Sequence, residues 1–215
     1  STIGHYKITR QIGQGGMGVV YQAMDLRINR PVAIKLLPDE LVSDGEALAR
    51  FEREILAAGQ LNHPSICTIF DVGKEDGAPY MVMEYLEGTT LRNLLLERSF
   101  SPVEVLEIAE QLTSALMYAH KHGVIPRDIK PANIFITNRG YAKLLDFGLA
   151  KVTLDLLSDS QSTDISADTR TQHSFEITEK GVALGTVLYM SPEQAKGQEL
   201  DERSDLFSLG SVIYE

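Results

Sequence analysis

The first third of the chain alternates short apolar runs with turns. HYKITRQIG, GVVYQAMD and RPVAIKLL are rich in Val, Ile and Tyr and are bounded by Gly, Asn or Pro, a pattern that predicts three antiparallel strands. From about Asp44 to just before His63 apolar residues recur with helical spacing, on a face formed by Leu48, Phe51, Ile55 and Ala58. SICTIFDVG and APYMVMEY predict two further strands. This part is therefore expected to hold five antiparallel strands and one amphipathic helix.

The next part of the chain opens with a longer helical pattern. Ser101 can act as the N-cap, Pro102 suits the first helical position, and Glu104 can complete a capping box. The predicted helix ends at Gly123, and its buried stripe comprises Val105, Ile108, Leu112, Leu116 and Ala119. Two short strands, NIFIT and YAKLLD, are predicted on either side of a turn at 138–140.

Two later segments depart from this regular pattern. Residues 153–180 contain ten Ser or Thr, scattered acids and few large apolar groups, so this segment is expected to be a mobile loop that cannot bury enough surface to order itself. A last helix is predicted from near Glu202, with an apolar set formed by Leu206, Phe207, Leu209, Val212 and Ile213. No stop signal precedes Glu215, which predicts that the natural protein continues beyond it.

The composition limits the classes of partner and compartment. The net charge of -10 removes the basic excess that a nucleic-acid-binding surface needs, so nucleic acid is not an expected partner. Cys67 is the only cysteine and has apolar neighbours, which favours a reducing compartment and a core position. No apolar stretch reaches the roughly 20 residues of a membrane span. A cytoplasmic location is expected for this segment, with an anchor after Glu215 left open.

A glycine-rich stretch, GQGGMGVV at 13–20, has the pattern G-x-G-x-x-G-x-V. Such glycines let backbone amides approach phosphate oxygens without an intervening side chain. A dinucleotide-binding fold requires a helix directly after the third glycine, whereas VVYQ continues as a strand. Gly13, Gly15 and Gly18 therefore favour a hairpin over nucleotide phosphates, and an ordinary turn is the alternative.

Charged residues at two further places could act on a nucleotide. Lys35 lies in the apolar strand VAIK, where a buried ammonium needs an anionic partner, and the amphipathic helix offers Glu54. Taken singly, both residues also fit solvated surface charges. The segment DIKPAN contributes Asp128, Lys130 and Asn133, and a DFG sequence begins at 146. Carboxylate and amide oxygens suit Mg²⁺, and an aspartate beside a hydroxyl can accept its proton.

These motifs together resemble the eukaryotic-like serine/threonine protein kinases common in bacteria. The resemblance runs from His5 to Glu215 and includes PRDIKPAN for the usual HRDxKPxN, DFGLAK, GTVLYMSPE for the usual GTxxYxxPE, and SDLFSLG for the start of the family's αF helix. It implies an α+β bilobal kinase fold. Residues 1–86 would form an antiparallel five-stranded N-lobe with one helix, and residues 87–215 an incomplete, mainly helical C-lobe.

The resemblance implies an ATP-dependent enzyme that transfers the γ-phosphoryl group to Ser or Thr hydroxyls of protein substrates. Lys35, held by Glu54, would contact the α- and β-phosphates. Asp128 would be the catalytic base, and Lys130 would steady the γ-phosphate. In that family a lysine and a threonine at the positions of Lys130 and Thr186 accompany Ser/Thr acceptors.

The resemblance also implies the ligand contacts. Asn133 and Asp146 would hold Mg²⁺. Met83 would be the gatekeeper, followed by a hinge at 84–86 whose backbone reads adenine. The nucleotide-binding set is expected to comprise Ile12, Gly13, Gly15, Gly18, Val20, Ala33, Lys35, Met83, Glu84, Leu86 and Phe135. For Met83 and Phe135, ordinary core packing is an equal alternative.

Regulation is implied by Arg127, which would pair with a phosphorylated residue of the activation loop. Thr178, eight residues before Thr186, is the first candidate, followed by Thr171 and Ser174. The resemblance also implies autophosphorylation of this loop, in which two copies of the chain, for instance as a homodimer, can act on one another.

Pro126 departs from the family, which usually has histidine there. In the family that histidine stacks under the DFG phenylalanine, here Phe147, and its backbone N–H usually bonds the αF aspartate, here Asp205. Proline has no N–H, and losing a hydrogen bond to a charged group costs about 1.5–3 kcal/mol, so weakened rather than abolished transfer is expected. The alternative is a non-catalytic kinase-like module that binds a nucleotide or a partner. The family's further helices would also cover αF and pair Glu193 with an arginine, so this piece alone is expected to be poorly soluble or inactive.

Overall fold

An antiparallel six-stranded sheet forms the amino-terminal part of the computed structural model, which describes residues 1–15, 18–37, 45–75, 77–145 and 188–215. Its strands are β1 (Thr2–Ile3), β2 (Tyr6–Gly15), β3 (Gly18–Asp25), β4 (Arg30–Leu36), β5 (Ile69–Glu75) and β6 (Ala78–Glu84), in the order β1-β2-β3-β4-β6-β5. The five predicted strands are confirmed. The additional strand, β1, has two residues and pairs with the start of β2, which is too short to produce a periodic pattern.

One helix, α1 (Gly45–Ala58), packs against this sheet. The predicted helix is confirmed, and its buried side chains Phe51 and Ile55 join an apolar cluster with Ala33, Met81 and Met83 of the sheet. This packing fixes the helix that carries Glu54 next to the strand that carries Lys35.

The carboxyl-terminal part is mainly helical. It consists of α2 (Leu91–Glu97), α3 (Pro102–Lys121), α4 (Pro192–Ala195), α5 (Glu202–Tyr214) and a small sheet of β7 (Gly88–Thr90), β8 (Ile134–Thr137) and β9 (Ala142–Leu144). The capping box at the start of α3 is present, with Ser101 and Glu104 bonding each other's backbone. Gly123 follows the helix with φ 74°, as a residue that ends a helix in the left-handed conformation.

The core of this second part joins three elements. Leu112, Leu116 and Ala119 of α3 pack with Ile134 of β8 and Leu209 of α5, all of them buried. In α5 the predicted apolar set divides, because Leu209 and Val212 are buried while the others, Leu206, Phe207 and Ile213, are exposed. Among the helices of the described residues, none has the length and apolar character needed to cross a bilayer.

Candidate active site

A short loop between α3 and β8 gathers three of the predicted residues around one carboxylate. Asp128 is only 8% exposed. The Nζ atom of Lys130 lies 2.7 Å from its Oδ2 atom. Pro131 begins a 3-10 turn that ends at Asn133. The side-chain amide nitrogen of Asn133 donates to Oδ2 of Asp128 at 2.7 Å and to the main-chain carbonyl oxygen of Asp128 at 3.0 Å. The loop thus positions Asp128, Lys130 and Asn133 together before any ligand binds.

The donor set of this loop fits a magnesium ion. Both hydrogen bonds from the amide nitrogen of Asn133 go to Asp128, so its carbonyl oxygen is the atom that can face a cation, and Mg²⁺ prefers oxygen ligands. Asp146, the second expected ligand, lies outside the described residues. Within the ranges that the structure describes, no three His, Cys, Asp or Glu side chains form a metal cluster.

The expected nucleotide-binding residues of the sheet lie on one side of it. Lys35 is 5% exposed in β4, where it is paired in register with Val20 of β3 and Met81 of β6. Four residues of the expected nucleotide-binding set pack in or against the same apolar cluster, namely Val20, Ala33, Met83 and Leu86. This side of the sheet therefore presents an apolar wall next to a buried ammonium.

The remaining residues of the expected nucleotide pocket are more exposed. Glu54 is partly buried on α1, and Ile12 of β2 is exposed. Phe135 is partly buried on β8, between Ile134 and Ile136, which both belong to the carboxyl-terminal core. Because successive side chains of a strand point to opposite faces, Phe135 points away from that core.

Two glycines of the glycine-rich stretch have different surroundings. Gly18 has φ 106°, and a Cβ atom placed on it would lie 1.9 Å from the carbonyl oxygen of Leu36, so β4 excludes a side chain at this position. At Gly13 a Cβ atom would meet only Val20, at an ordinary 3.7 Å. The packing of the described residues therefore gives no steric reason for glycine at position 13. Gly15, the middle glycine, ends β2 opposite Gly18.

The side chain of Glu84, at the expected hinge, is directed toward the carboxyl-terminal part. Its Oε1 atom accepts a hydrogen bond from the Thr68 amide at 2.9 Å and lies 2.6 Å from Nζ of Lys143 in β9. Lys143 also donates to the Ile66 carbonyl at 3.4 Å. Any adenine recognition at Glu84 would thus fall to its backbone. Lys143 was not predicted as a site residue, because its only signal in the sequence is a charge between two buried strand positions.

A buried carboxylate on α5 supports the loop between α3 and β8. Asp205 is 1% exposed, and its Oδ1 atom accepts from the Arg127 amide at 2.8 Å while its Oδ2 atom is 2.7 Å from Nε2 of His120 on α3. Burial raises the pKa of Asp205, and these two donors oppose the rise. Both oxygens of Asp205 therefore have partners although Pro126 has no N–H. His120 was not predicted as a partner of Asp205, and Phe147 lies outside the described residues.

The residues expected to have a regulatory role are described in part. The Nε atom of Arg127 is buried and has no hydrogen-bond partner within the described part of the chain. Thr178 and Thr186 lie outside the described residues, as does the predicted loop at 153–180. Glu193, in α4, accepts a hydrogen bond from the Ser204 hydroxyl of α5 at 2.6 Å, which lowers the pKa of the Glu193 carboxyl.

Comparison with curated proteins finds named bacterial kinases. The chain is 42% identical to serine/threonine-protein kinase PrkC of Bacillus subtilis over 213 residues, which cover 99% of this chain and 30% of PrkC. It is 39% identical to serine/threonine-protein kinase PknB of Mycolicibacterium smegmatis over 215 residues, which cover 98% of this chain and 32% of PknB. The chain thus spans about a third of the length of these relatives.

Comparison with solved structures and with family models agrees with this. The crystal structure of the Mycobacterium tuberculosis PknI kinase domain superposes on the whole chain with a TM-score of 0.75 and 27% identity, and 72% of that domain is covered. The family model for the protein kinase domain matches residues 6–215. With the fold, the order of the motifs and nearly the full chain in agreement, this chain belongs to the protein kinase family.

Proposed function

We propose that the protein is an ATP-dependent serine/threonine kinase. The observation that carries this proposal is the pre-formed cluster in which Lys130 and Asn133 both contact the buried carboxylate of Asp128 at 2.7 Å. A carboxylate held in this way has a fixed direction, and a fixed direction is what a base needs to meet a substrate hydroxyl.

In the proposed reaction the substrate hydroxyl oxygen forms a bond to the γ-phosphorus of ATP. The bond between that phosphorus and the oxygen bridging to the β-phosphate breaks, and ADP leaves with the electron pair. Asp128 accepts the hydroxyl proton, and the Lys130 ammonium next to it can share the negative charge of the transferred group. Asn133 and Asp146 would hold Mg²⁺, which would supply positive charge to the phosphates.

The nucleotide would bind under the glycine-rich hairpin. Lys35 is buried at the edge of an apolar wall that includes Ala33 and Met83, which supports contact of its ammonium with phosphates while the wall covers the adenine ring. No contact among the described residues requires glycine at position 13, which supports a role for Gly13 in the approach of a phosphate to the β2 backbone.

A non-catalytic kinase-like module is the second candidate, and Pro126 is the observation that favours it. Against it stand the buried carboxylate of Asp128 with its two partners and the full pairing of Asp205. A module without catalysis would have no need for an ionised group desolvated in this way, because burying a charge costs free energy.

The test is transfer of labelled phosphate from ATP to a general acceptor protein such as casein by the full-length protein. We expect Mg²⁺-dependent labelling of Ser or Thr, with Asp128→Asn as the inactive control. Binding of ATP without transfer under these conditions would support the non-catalytic module instead.

Activation-loop phosphorylation is the finer part of the proposal. The buried Nε of Arg127 lacks a partner among the described residues, which supports recruitment of a phosphate from elsewhere in the chain, as arginines commonly bind phosphorylated residues. We expect phosphate on Thr178 after incubation with ATP, by one copy acting on another, and about a tenfold lower kcat for Thr178→Ala than for Thr171→Ala. Peptide mapping that finds unmodified Thr178 in an active preparation would contradict this prediction.

Pro126 is expected to lower turnover only slightly, since His120 already bonds the second oxygen of Asp205. Pro126→His restores a main-chain donor, and one further hydrogen bond is worth about 0.5–1.5 kcal/mol, so we expect kcat to rise no more than about tenfold. Pro126→Ala is the control that restores the N–H without a ring. An unchanged kcat in both variants would remove Pro126 from any account of activity.

A further inference from the structure

Gln194, in the short helix α4, uses both atoms of its side-chain amide. Its Oε1 atom accepts a hydrogen bond from the Ser191 amide at 2.9 Å, and Ser191 Oγ accepts from the Gln194 amide at 3.3 Å, which completes a capping box. Its Nε2 atom donates to the carbonyl oxygen of Arg127 at 2.7 Å, across 67 positions of sequence. Glutamate can serve in a capping box as well as glutamine, but an ionised glutamate has no donor for the second contact.

The carbonyl that Gln194 contacts belongs to an unusual backbone position. Arg127 has φ 65°, a left-handed conformation that residues with a side chain seldom adopt. Its N–H donates to Asp205 on α5, and its C=O accepts from Gln194 on α4. The surrounding protein therefore holds both main-chain polar groups of Arg127, the N–H and the C=O, one on each side of its Cα atom.

The Arg127 carbonyl is also the first half of the peptide bond that leads into Asp128. A change at this carbonyl rotates the peptide plane and with it the Cα–Cβ direction of Asp128. The partners of the Asp128 carboxylate, Lys130 and Asn133, follow it directly in the same loop, so they would move with the loop and could not correct its direction. The contact from Gln194 comes from outside the loop and can fix it.

We propose that Gln194 is a positioning residue for phosphoryl transfer. Its side chain, on α4, fixes the orientation of the peptide bond between Arg127 and Asp128. The inference rests on the proposed function of Asp128 as the base. Gln194 touches neither the reacting atoms nor the β-sheet residues expected to bind ATP. Its loss is therefore expected to lower kcat and to leave KM for ATP unchanged.

Gln194→Glu separates the two uses of this side chain in the full-length protein. It keeps the acceptor for Ser191 and places a carboxylate against the Arg127 carbonyl, leaving a partly buried acceptor without its donor. We expect kcat to fall about tenfold to a hundredfold, with KM for ATP unchanged and the melting temperature within a few degrees of the wild type. Gln198→Glu, four residues further on at an exposed position, adds the same charge and should behave as the wild type.

A positioning role also predicts how Gln194→Glu combines with other changes. In the Asp128→Asn background it should produce no further loss of the residual rate, because the group it orients is already absent. Ser191→Ala removes the cap and keeps the Arg127 contact, so it should lower stability more than kcat. If Gln194→Glu does not fold, Gln194→Met is the neutral variant without a donor. We again expect kcat to fall and KM for ATP to stay unchanged.

Any of four outcomes would overturn the inference. One is a kcat for Gln194→Glu equal to that of Gln198→Glu. A second is a fall in kcat that adds to the fall caused by Asp128→Asn, and a third is an equal fall in kcat for Ser191→Ala. Either of these results would assign Gln194 a purely structural role. A wild-type protein that transfers no phosphate would overturn the proposed function and this inference together, whereas an active wild type with an unaffected variant would overturn the inference alone.

Discussion

Asp128→Asn should lower kcat by about a hundredfold to ten-thousandfold and leave KM for ATP close to its wild-type value. General base catalysis contributes about this much to a rate, and the amide that replaces the carboxylate cannot accept the hydroxyl proton. The structure predicts that the loop itself survives, because an amide oxygen at this position can still accept the 2.7 Å hydrogen bond from Asn133. The fall is therefore expected in the chemical step and not in nucleotide binding.

Steady-state kinetics with ATP and a protein acceptor, together with ATP binding measured by calorimetry, check this prediction. Asp201→Asn is a matched control, since Asp201 is the exposed N-cap of α5 and asparagine caps a helix as well as aspartate. If the Asp128→Asn variant keeps more than about a tenth of the wild-type rate, Asp128 is not the base. If it loses ATP binding instead, the loop has been disrupted and the assignment must be made from another variant.

His120→Phe should destabilise the protein by about 2–4 kcal/mol. The change removes the donor 2.7 Å from Oδ2 of Asp205, and a buried carboxylate oxygen left without a partner retains its desolvation cost. For a domain of this size that corresponds to a melting temperature lowered by roughly 5–15 °C. Because Asp205 also holds the Arg127 amide, kcat is expected to fall at temperatures where the protein is still folded.

Thermal unfolding and kcat of the same preparation give the two readouts. His122→Phe, two residues along at the exposed end of α3, is the matched control and should change both values little. Adding Pro126→Ala to His120→Phe supplies a new main-chain N–H near Asp205 and should recover part of the loss, so the two changes should be non-additive. Full additivity would show that the two positions do not share Asp205 as an acceptor.

The elements of this fold that could be predicted are those whose signal is local. The strands, α1 and α3 have periodic apolar faces, and the start of α3 is specified within the four residues from Ser101 to Glu104. β1 has only two residues and exists because β2 offers it an edge. In α5 the apolar residues occupy more than one face of the helix, so their spacing alone does not predict which of them are buried.

The candidate site divides in the same way. Asp128, Lys130 and Asn133 lie within six residues and their spacing was sufficient to group them. His120 and Asp205 are separated by 85 positions, and Glu84 and Lys143 by 59. No local pattern marks such pairs, since each member alone fits a solvated charge or a polar residue at a helix end. Gly18 was predicted from a local motif, but for a different reason than the one the structure shows. The motif indicates phosphate binding, whereas the backbone of β4 excludes a side chain at Gly18.

The pairing of Asp205 bears on how kinase sequences are sorted into active and inactive members. A filter that requires histidine before the Arg-Asp pair would discard this chain on the strength of Pro126. Because His120 bonds one oxygen of Asp205 and the Arg127 amide bonds the other, position 126 need not donate a hydrogen bond to Asp205. A three-residue motif is then a poor criterion, and a better one would ask whether the αF aspartate has two donors from any part of the chain.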